Sequence, residues 1–312
     1  MKLAPIAFFA YKRPEHTQRS LESLSQNEGA ASSELFIYCD AAKQPEDIKA
    51  VKEVRKVAKS KQWCGKVHII EHENNIGCAD SIIKGVTQTC QQYGRVIVVE
   101  DDLILSPYFL NYMNTTLDLY QDEEQVVQIS GYMFPVALKD AKTDALFLPF
   151  TTSWGWATWQ RAWQDFDPEM RGYEKLKSNR KLRYKFDLNN SYKYFNMLDS
   201  QLNGKIDAWD IRWYLSTFML NGLTLYPKKS LVQNIGFDGS GTHCGVSSNL
   251  DTEIYQDEVL SMPINVQSDS KAANIIFAYL RNLKQSLNLL QRIKQKLKNL
   301  FNKIKYPKFY IL

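Results

Sequence analysis

The sequence predicts an α/β fold: a doubly wound sheet flanked by helices, followed by a basic amphipathic helical tail. Three observations predict it. Short apolar runs alternate with helical patterns as far as about Val126. Carboxylates stand where two of those runs end, at Asp40 and at Glu100-Asp101-Asp102. After Asp269, apolar residues step by three or four among ten Lys or Arg and no acid.

The elements follow in order. "PIAFFAY" (5–11) and "ELFIYCD" (34–40) are apolar runs bounded by turn residues, as buried parallel strands are. Between them "EHTQRSLESLSQN" has helical spacing. "DIKAVKEVRKVAKS" is a second helix and "KVHIIEH" (66–72) a third strand. In "DSIIKGVTQTCQQYG", Ile82, Ile83, Val86 and Cys90 share a helical face and Gly94 is the stop. "RVIVVEDD" is the fourth strand and "VVQISGY" another. Six of the seven tryptophans then fall between Trp154 and Trp213, and 169–205 is polar enough for helices exposed on one side.

The 312 residues carry a net charge of +5, and its distribution matters more than its size. Without the ten basic residues after Asp269, the remainder has 29 basic against 34 acidic side chains. The body is mildly acidic, which argues against nucleic acid as a partner. Five scattered cysteines with no CxxC pair predict reduced structural thiols in a cytoplasmic protein. The apolar start at 3–10 is short, ends at Lys12-Arg13 and precedes no small-residue cleavage site, so it is expected to be a strand and not a signal peptide. Nowhere do 18 apolar residues run together. In the tail, Ile276, Leu280, Leu283, Leu287, Leu290, Ile293, Leu297, Leu300 and Ile304 form a stripe opposite most of the basic side chains. Such a helix suggests peripheral contact with the inner face of a membrane; a coiled coil or packing on its own domain are the alternatives.

The acidic triplet demands a physical reason. At an effective dielectric of 20, two like charges about 4 Å apart repel by roughly 4 kcal/mol. A metal ion, basic side chains or an exposed turn would relieve that cost. Three carboxylates at the ligand-bearing edge of a sheet suit a hard divalent cation, whose shell substrate phosphates complete.

"RVIVVEDDLILSPYFLNYM" resembles the aspartate-containing motif of glycosyltransferases with the GT-A fold, a Rossmann-like mixed sheet flanked by helices. The Glu-Asp-Asp form is similar to that of N-acetylglucosaminyltransferase I and related bacterial sugar transferases. "AFFAYKRPEHTQRSLESL" looks like the family's first strand and helix, which implies that Arg13 contacts the nucleotide. "LFIYCDAA" looks like its second strand, which implies that Asp40 hydrogen-bonds uracil; Ala41 departs slightly from the usual small residue. "ENNIGCADSIIKGV", with Asn75 and Gly77, resembles the segment over the donor in bacterial family 2 enzymes. "SWGWATWQRAW" is similar to the Gly-Trp acceptor-side motif, with Trp154, Gly155 and Trp156 as the acceptor candidates. "DAWDIRWYL" lies where the family has its base, and "LYPKKSLVQNIGFDGSGTHCG" resembles the Gly-rich, His-containing loop that closes on the donor. These motifs run in order over residues 5–245.

The resemblance implies an inverting transfer of GlcNAc, Gal or Glc from a UDP-sugar to a hydroxyl of a glycan or lipid-linked glycan, in bacterial surface polysaccharide synthesis. Asp102 would ligate Mn²⁺ or Mg²⁺, with Glu100 and Asp101 orienting ribose, sugar or water. Asp210 would be the base, with Asp207 second and on the same helical face. His243 would complete the metal shell or contact a phosphate, and Gly236, Gly239, Gly241 and Gly245 suggest a mobile lid. The expected division is 1–128 for the donor, 129–262 for the acceptor and catalysis, and 263–312 for the tail. Two alternatives compete. A sugar-nucleotidyltransferase should carry a Gly-rich phosphate signature after its first strand, and "AYKRPEH" has no Gly. A non-catalytic carbohydrate-binding protein leaves the joint presence of Arg13, Asp40, the acidic triplet and Asp210 unexplained.

Overall fold

A computed structural model describes residues 3–239, 250–283 and 285. Its first half is built as the alternation of apolar runs and helical patterns predicts. Strands β1 (Ile6–Ala10), β2 (Glu34–Cys39), β3 (Lys66–Glu71) and β4 (Arg95–Glu100) lie side by side and parallel, in the order β3-β2-β1-β4. Helices α1 (Pro14–Ser25), α2 (Ile48–Lys59) and α3 (Cys78–Tyr93) make the crossovers. All five residues of β1 are buried, because the strand runs through the middle of the sheet. The apolar start of the chain is therefore a core strand.

Local chemistry sets the helix limits. Pro14 stands at the first position of α1, where its missing N–H costs nothing. Gly94 closes α3 with a left-handed φ of +79° and donates its N–H to Cys90 O at 2.8 Å. Along α3, Ala79, Ile82, Val86 and Cys90 are buried against the sheet.

Beyond β4 the sheet becomes mixed. The short β5 (Leu103–Leu105) and helix α4 (Phe109–Leu119) lead to β6 (Val126–Ser130) and β7 (Ala145–Leu148). The tryptophan-rich segment supplies β8 (Trp156–Trp159), which inserts antiparallel between β4 and β6. Helices α5 (Gln160–Trp163), α6 (Tyr173–Ser178), α7 (Arg180–Phe186), α8 (Tyr194–Leu202) and α9 (Trp209–Met219) precede β9 (Leu223–Pro227). The eight-stranded order is β3-β2-β1-β4-β8-β6-β9-β7, and β10 (Val232–Asn234) pairs separately with β5. One sheet thus carries strands from both halves of the chain.

The start of the expected tail is not a free amphipathic surface. Residues 270–283 are helical, and Ala272, Ala273, Ile276, Phe277 and Leu280 are buried in the same apolar cluster as Phe150, Tyr214 and Tyr226. Burial of that stripe by its own domain removes it from any membrane. The rest of the stripe, from Leu287 to Ile304, lies outside the described residues. No described helix is long and apolar enough to cross a membrane.

Candidate functional site

Strand order reverses between β1 and β4, the point at which open α/β sheets form a crevice at their carboxyl ends. Glu100, the last residue of β4, stands opposite Phe9 of β1. The turns after both strands therefore emerge together. Arg13 Nη2 donates to Asp101 Oδ1 and lies 3.0 Å from Asp102 Oδ2, while Tyr11 N donates to Asp101 Oδ2 at 3.3 Å. The turn is held from outside as well. Tyr11 Oη donates to Asp47 Oδ2 at 2.8 Å and accepts from Lys43 N at 3.0 Å, and Lys12 Nζ reaches Asp47 Oδ1 at 2.9 Å. Burial and the Asp47 bond push the Tyr11 hydroxyl up to about 12, so it remains a donor.

Arg13, expected on the nucleotide, is instead the resident counter-charge of the acidic triplet. Burial works against its charge, and Asp101 and Asp102 more than overcome that, raising its pKa. One guanidinium does not balance three acids. Burial raises Glu100 well above the usual carboxylate range, helped by Asp102 and Asp101 and opposed by Arg13; Asp210 adds to the same push. Asp102 is raised by burial too, against the pull of Arg13.

This oxygen-only donor set fits a hard divalent cation, which would supply the missing positive charge. Among the described residues no group of three His, Cys, Asp or Glu side chains is placed so that it could hold a metal ion.

Asp40 is buried, and four donors occupy its carboxylate. Ala41 N and Ile76 N reach Oδ1 at 2.8 and 3.1 Å; Asn75 Nδ2 and Gly77 N reach Oδ2 at 2.9 and 3.0 Å. A carboxylate offers about four such sites, so none remains for a uracil N–H. Asp40 instead holds the turn that enters α3. Asn75 is turned inward onto Asp40 and Ala41 O, the latter at 2.7 Å. Gly77 takes φ +83° at the head of α3, a conformation that favours glycine.

The second half meets this edge through α9. Asp210 lies in the first turn of α9, and its charge is felt at Glu100. Asp207 does not share the helical face, because α9 begins at Trp209 with Ala208 as its cap. Its carboxylate is mostly exposed, and its Oδ1 lies 3.1 Å from Arg212 Nη2. A Cβ on Gly77 would come within 3.9 Å of Asp207 Oδ2, so the two loops face each other.

Asp210 opens into a cavity walled by Trp154, Tyr192, Tyr194, Trp209 and Met197, with Thr151, Thr152 and Ser153 along one side. Trp154 therefore lines it, edge-on to Tyr132 at 4.5 Å and to Phe237 at 5.4 Å. Trp156 does not. It is wholly buried, stacked on Trp209 at 5.2 Å beside Trp163 and Trp213, and is a core residue. Gly155 is a packing position: at φ +60° its Cβ would meet Val232 Cγ2 at 2.8 Å and Phe109 at 3.1 Å.

The segment after β10 lies across the triplet. Ile235 N donates to Asp102 O at 2.8 Å, and His16 Nε2 stands 3.2 Å from Asp238 Oδ2. A Cβ on Gly236 would collide with Asp102 Oδ2 and stand 2.9 Å from Arg13 Nη1. His243, Gly241 and Gly245 lie outside the described residues.

The sequence reading missed Tyr11 with Asp47, and the cavity residues Tyr132, Tyr192, Tyr194, Met197, Leu280 and Leu283. No motif marks them. Tyr192 and Tyr194 fall in a polar stretch read as exposed helix, and the two leucines in the tail.

No protein-family model matches the chain, and no curated protein sequence does. Among solved structures it is similar to S. aureus TarS 1-349, at 12% identity and a TM-score of 0.42 over 75% of this chain and 61% of that one. It is also similar to mouse xyloside xylosyltransferase 1 in its apo form (13%, 0.36, 70% and 81%). A cytidylyltransferase from Leptospira borgpetersenii is a third (13%, 0.33, 57% and 65%). The chain thus spans less than two thirds of the first and third of these structures. At such overlap the likeness fixes no residue correspondence and no chemistry.

Proposed function

We propose that this chain is a metal-dependent inverting glycosyltransferase that moves a sugar from a UDP-sugar to a hydroxyl of a glycan acceptor. One observation carries the reading: a charge-deficient acidic triplet at the strand-order reversal shares its electrostatic field with Asp210, which heads an aromatic cavity. The first half suits a diphosphate. The second suits a sugar ring, because aromatic faces stack on C–H surfaces while a carboxylate receives a hydroxyl.

In this reading Asp102 is the carboxylate that would hold Mn²⁺ or Mg²⁺, with Glu100 beside it. The ion, when bound, offsets charge on the departing diphosphate. Asp101 stays with Arg13 and keeps the triplet in position. Asp40, held by Asn75, acts through the 75–77 turn, keeping that segment in place at the donor. Asp210 takes the proton of the acceptor hydroxyl as its oxygen bonds to the anomeric carbon; the bond from that carbon to the phosphate oxygen breaks, and UDP leaves. Asp207 is the second candidate base. Trp154 backs the acceptor ring. His243 is proposed as a further ligand of the metal or the phosphate. The donor half is 1–128, the acceptor half 129–262 and the tail 263–312, with membrane contact reserved for the basic residues beyond 285. Among donor sugars GlcNAc is favoured by resemblance, ahead of Gal and Glc, and surface polysaccharide synthesis at the inner membrane face is the setting.

Calorimetric binding of UDP with and without Mn²⁺ tests this, on the wild type and on Asp102→Ala. Binding that needs the metal and is lost in the variant supports the donor site. No UDP binding in either condition overturns the reading, with GDP and dTDP as the controls for base identity.

A further inference from the structure

Beside the cavity that holds Asp210, the charge of the body reverses. Residues 171–193 contain eight Lys or Arg against two acids, whereas the other residues up to 270 hold 21 basic and 32 acidic side chains. Arg171, Lys175, Lys177, Arg180, Lys181 and Lys185 are exposed. Arg171, Lys177 and Lys193 stand 3.8, 3.7 and 3.8 Å from Asp167, Glu174 and Asp187. Among the described residues no carboxylate pairs with Lys175, Arg180, Lys181, Arg183 or Lys185. Aromatic rings tie these cations to the cavity. Lys177 Nζ lies 5.5 Å from the Tyr173 ring, Tyr173 stacks on Phe195 at 5.5 Å, and Arg183 lies over Phe195 at 5.1 Å. Helix α7 packs Phe186 against Tyr194 at 6.3 Å and Tyr214 at 4.6 Å, both of which line the cavity. Tyr192 lines it too and is 44% exposed, so it marks the rim. The turn before it is built under strain: Leu188, Asn189 and Asn190 take φ of +48°, +55° and +63°, which non-glycine residues rarely adopt away from functional edges. Asp187 fixes that turn by accepting from Phe195 N at 2.8 Å.

We propose that α6, α7 and Lys193 form a docking surface for an anionic glycan, so that the acceptor is a chain bearing carboxylates or phosphates. The inference rests on the acceptor reading of the cavity given above. One ring enters past Tyr192 to meet Asp210, and the units that follow lie over α7, where Lys181 and Lys185 share a face. Ammonium and guanidinium groups hold carboxylates and phosphates by charge-assisted hydrogen bonds. The exposed ring of Tyr184 beside them suits a sugar face. An anionic bilayer is the competing partner, but α7 turns Leu182 and Phe186 toward the apolar cluster of Phe150, Tyr214 and Tyr226. No apolar stripe is left on it to enter a bilayer.

An oligogalacturonate and a neutral maltooligosaccharide of equal length serve as probes. Binding to the full chain is read by calorimetry and by tryptophan fluorescence, because Trp154, Trp209 and Trp213 line the cavity. The wild type is expected to bind the anionic chain at least about tenfold more tightly, with an affinity that falls as salt is raised. Arg180→Glu/Lys181→Glu/Lys185→Glu should cut that affinity about tenfold or more and leave the neutral chain unaffected. Lys49→Glu/Lys52→Glu/Lys56→Glu makes the same charge change on exposed side chains of α2 and should cost no more than about twofold. The ten basic residues after Asp269 are present in every sample and weigh equally on each. Equal wild-type affinity for the two chains, or equal loss in the two triple variants, overturns the proposal. So does an α7 variant that loses binding only to vesicles of anionic lipid, which would make this a membrane face. Anionic binding without a tryptophan signal would part the surface from the cavity and overturn the acceptor assignment. UDP binding on the same samples tests the transfer reading alone. Without it that reading falls, and the comparison of the two chains still decides the surface.

Discussion

At the end of β4 two carboxylates of an acidic triplet, Asp101 and Asp102, share one guanidinium, whereas at the head of α9 one carboxylate lines a cavity with aromatic rings. The first region is organised by charge: Arg13, Tyr11 N and the segment from Ile235 to Gly236 are all drawn to Asp101 and Asp102. The second is organised by shape: Trp156 and Trp163 pack in a buried ring cluster with Trp209 and Trp213, and the last two also line the cavity together with Trp154. Charge concentrated at a fixed point suits a phosphate and an ion. A shaped apolar wall with one carboxylate suits a ring whose hydroxyl must lose a proton.

The two regions should fail differently. Asp210→Asn keeps the shape and removes the proposed base, so turnover is expected to fall by about a thousandfold, within the range general bases contribute. UDP binding by calorimetry should be unchanged; a variant with wild-type turnover would assign the proton elsewhere. Trp156→Ala opens a hole in the ring cluster and is expected to cost about 4 kcal/mol in urea unfolding. Tyr192→Ala, at a residue 44% exposed, should stay within about 0.5 kcal/mol of wild type while raising the acceptor KM. Equal losses at both positions would contradict the separation of core from wall.

Arg13→Ala leaves buried Asp101 without its charged partner. A loss of about 3 kcal/mol is expected, as when one member of a buried pair is removed. An unchanged unfolding midpoint would mean that Arg13 is not the resident counter-charge. Gly236→Ala is the finest probe: its Cβ would displace Asp102 and Arg13, weakening UDP binding about tenfold, or about 1.4 kcal/mol, with little change in stability. A thiol control completes the series. Burial raises Cys39, Cys64 and Cys90 to about 12, so these three should resist maleimide at pH 8 until the protein unfolds.

Much of the first region was legible. Runs such as Ile6–Ala10 and Arg95–Glu100 are apolar because both faces of a parallel strand are buried, and that demand leaves a mark in any sequence. The acidic triplet stood out because its repulsion requires a reason. The resemblance alone singled out Asp210 and Trp154, which line one cavity, and Trp156, which is buried in the core, since a core indole and a cavity indole look alike in sequence.

What the sequence by itself determined is the run of strands β1 to β4 and β6 and of helices α1 to α3, and that excess negative charge collects at one strand end. Periodicity records how much of each element is buried, residue by residue. Only the tertiary structure decided what each charge meets. Arg13 reached Asp101 because β1 and β4 are neighbours, and Asp40 was filled by donors 35 to 37 residues downstream because β2 and the head of α3 converge. The cavity joined Thr151, Tyr192, Asp210 and Leu283 across more than a hundred residues. No local preference encodes such meetings, because strand order and the closing of the core set them together, and hydrogen bonds and ion pairs form with whatever partner that order brings into reach.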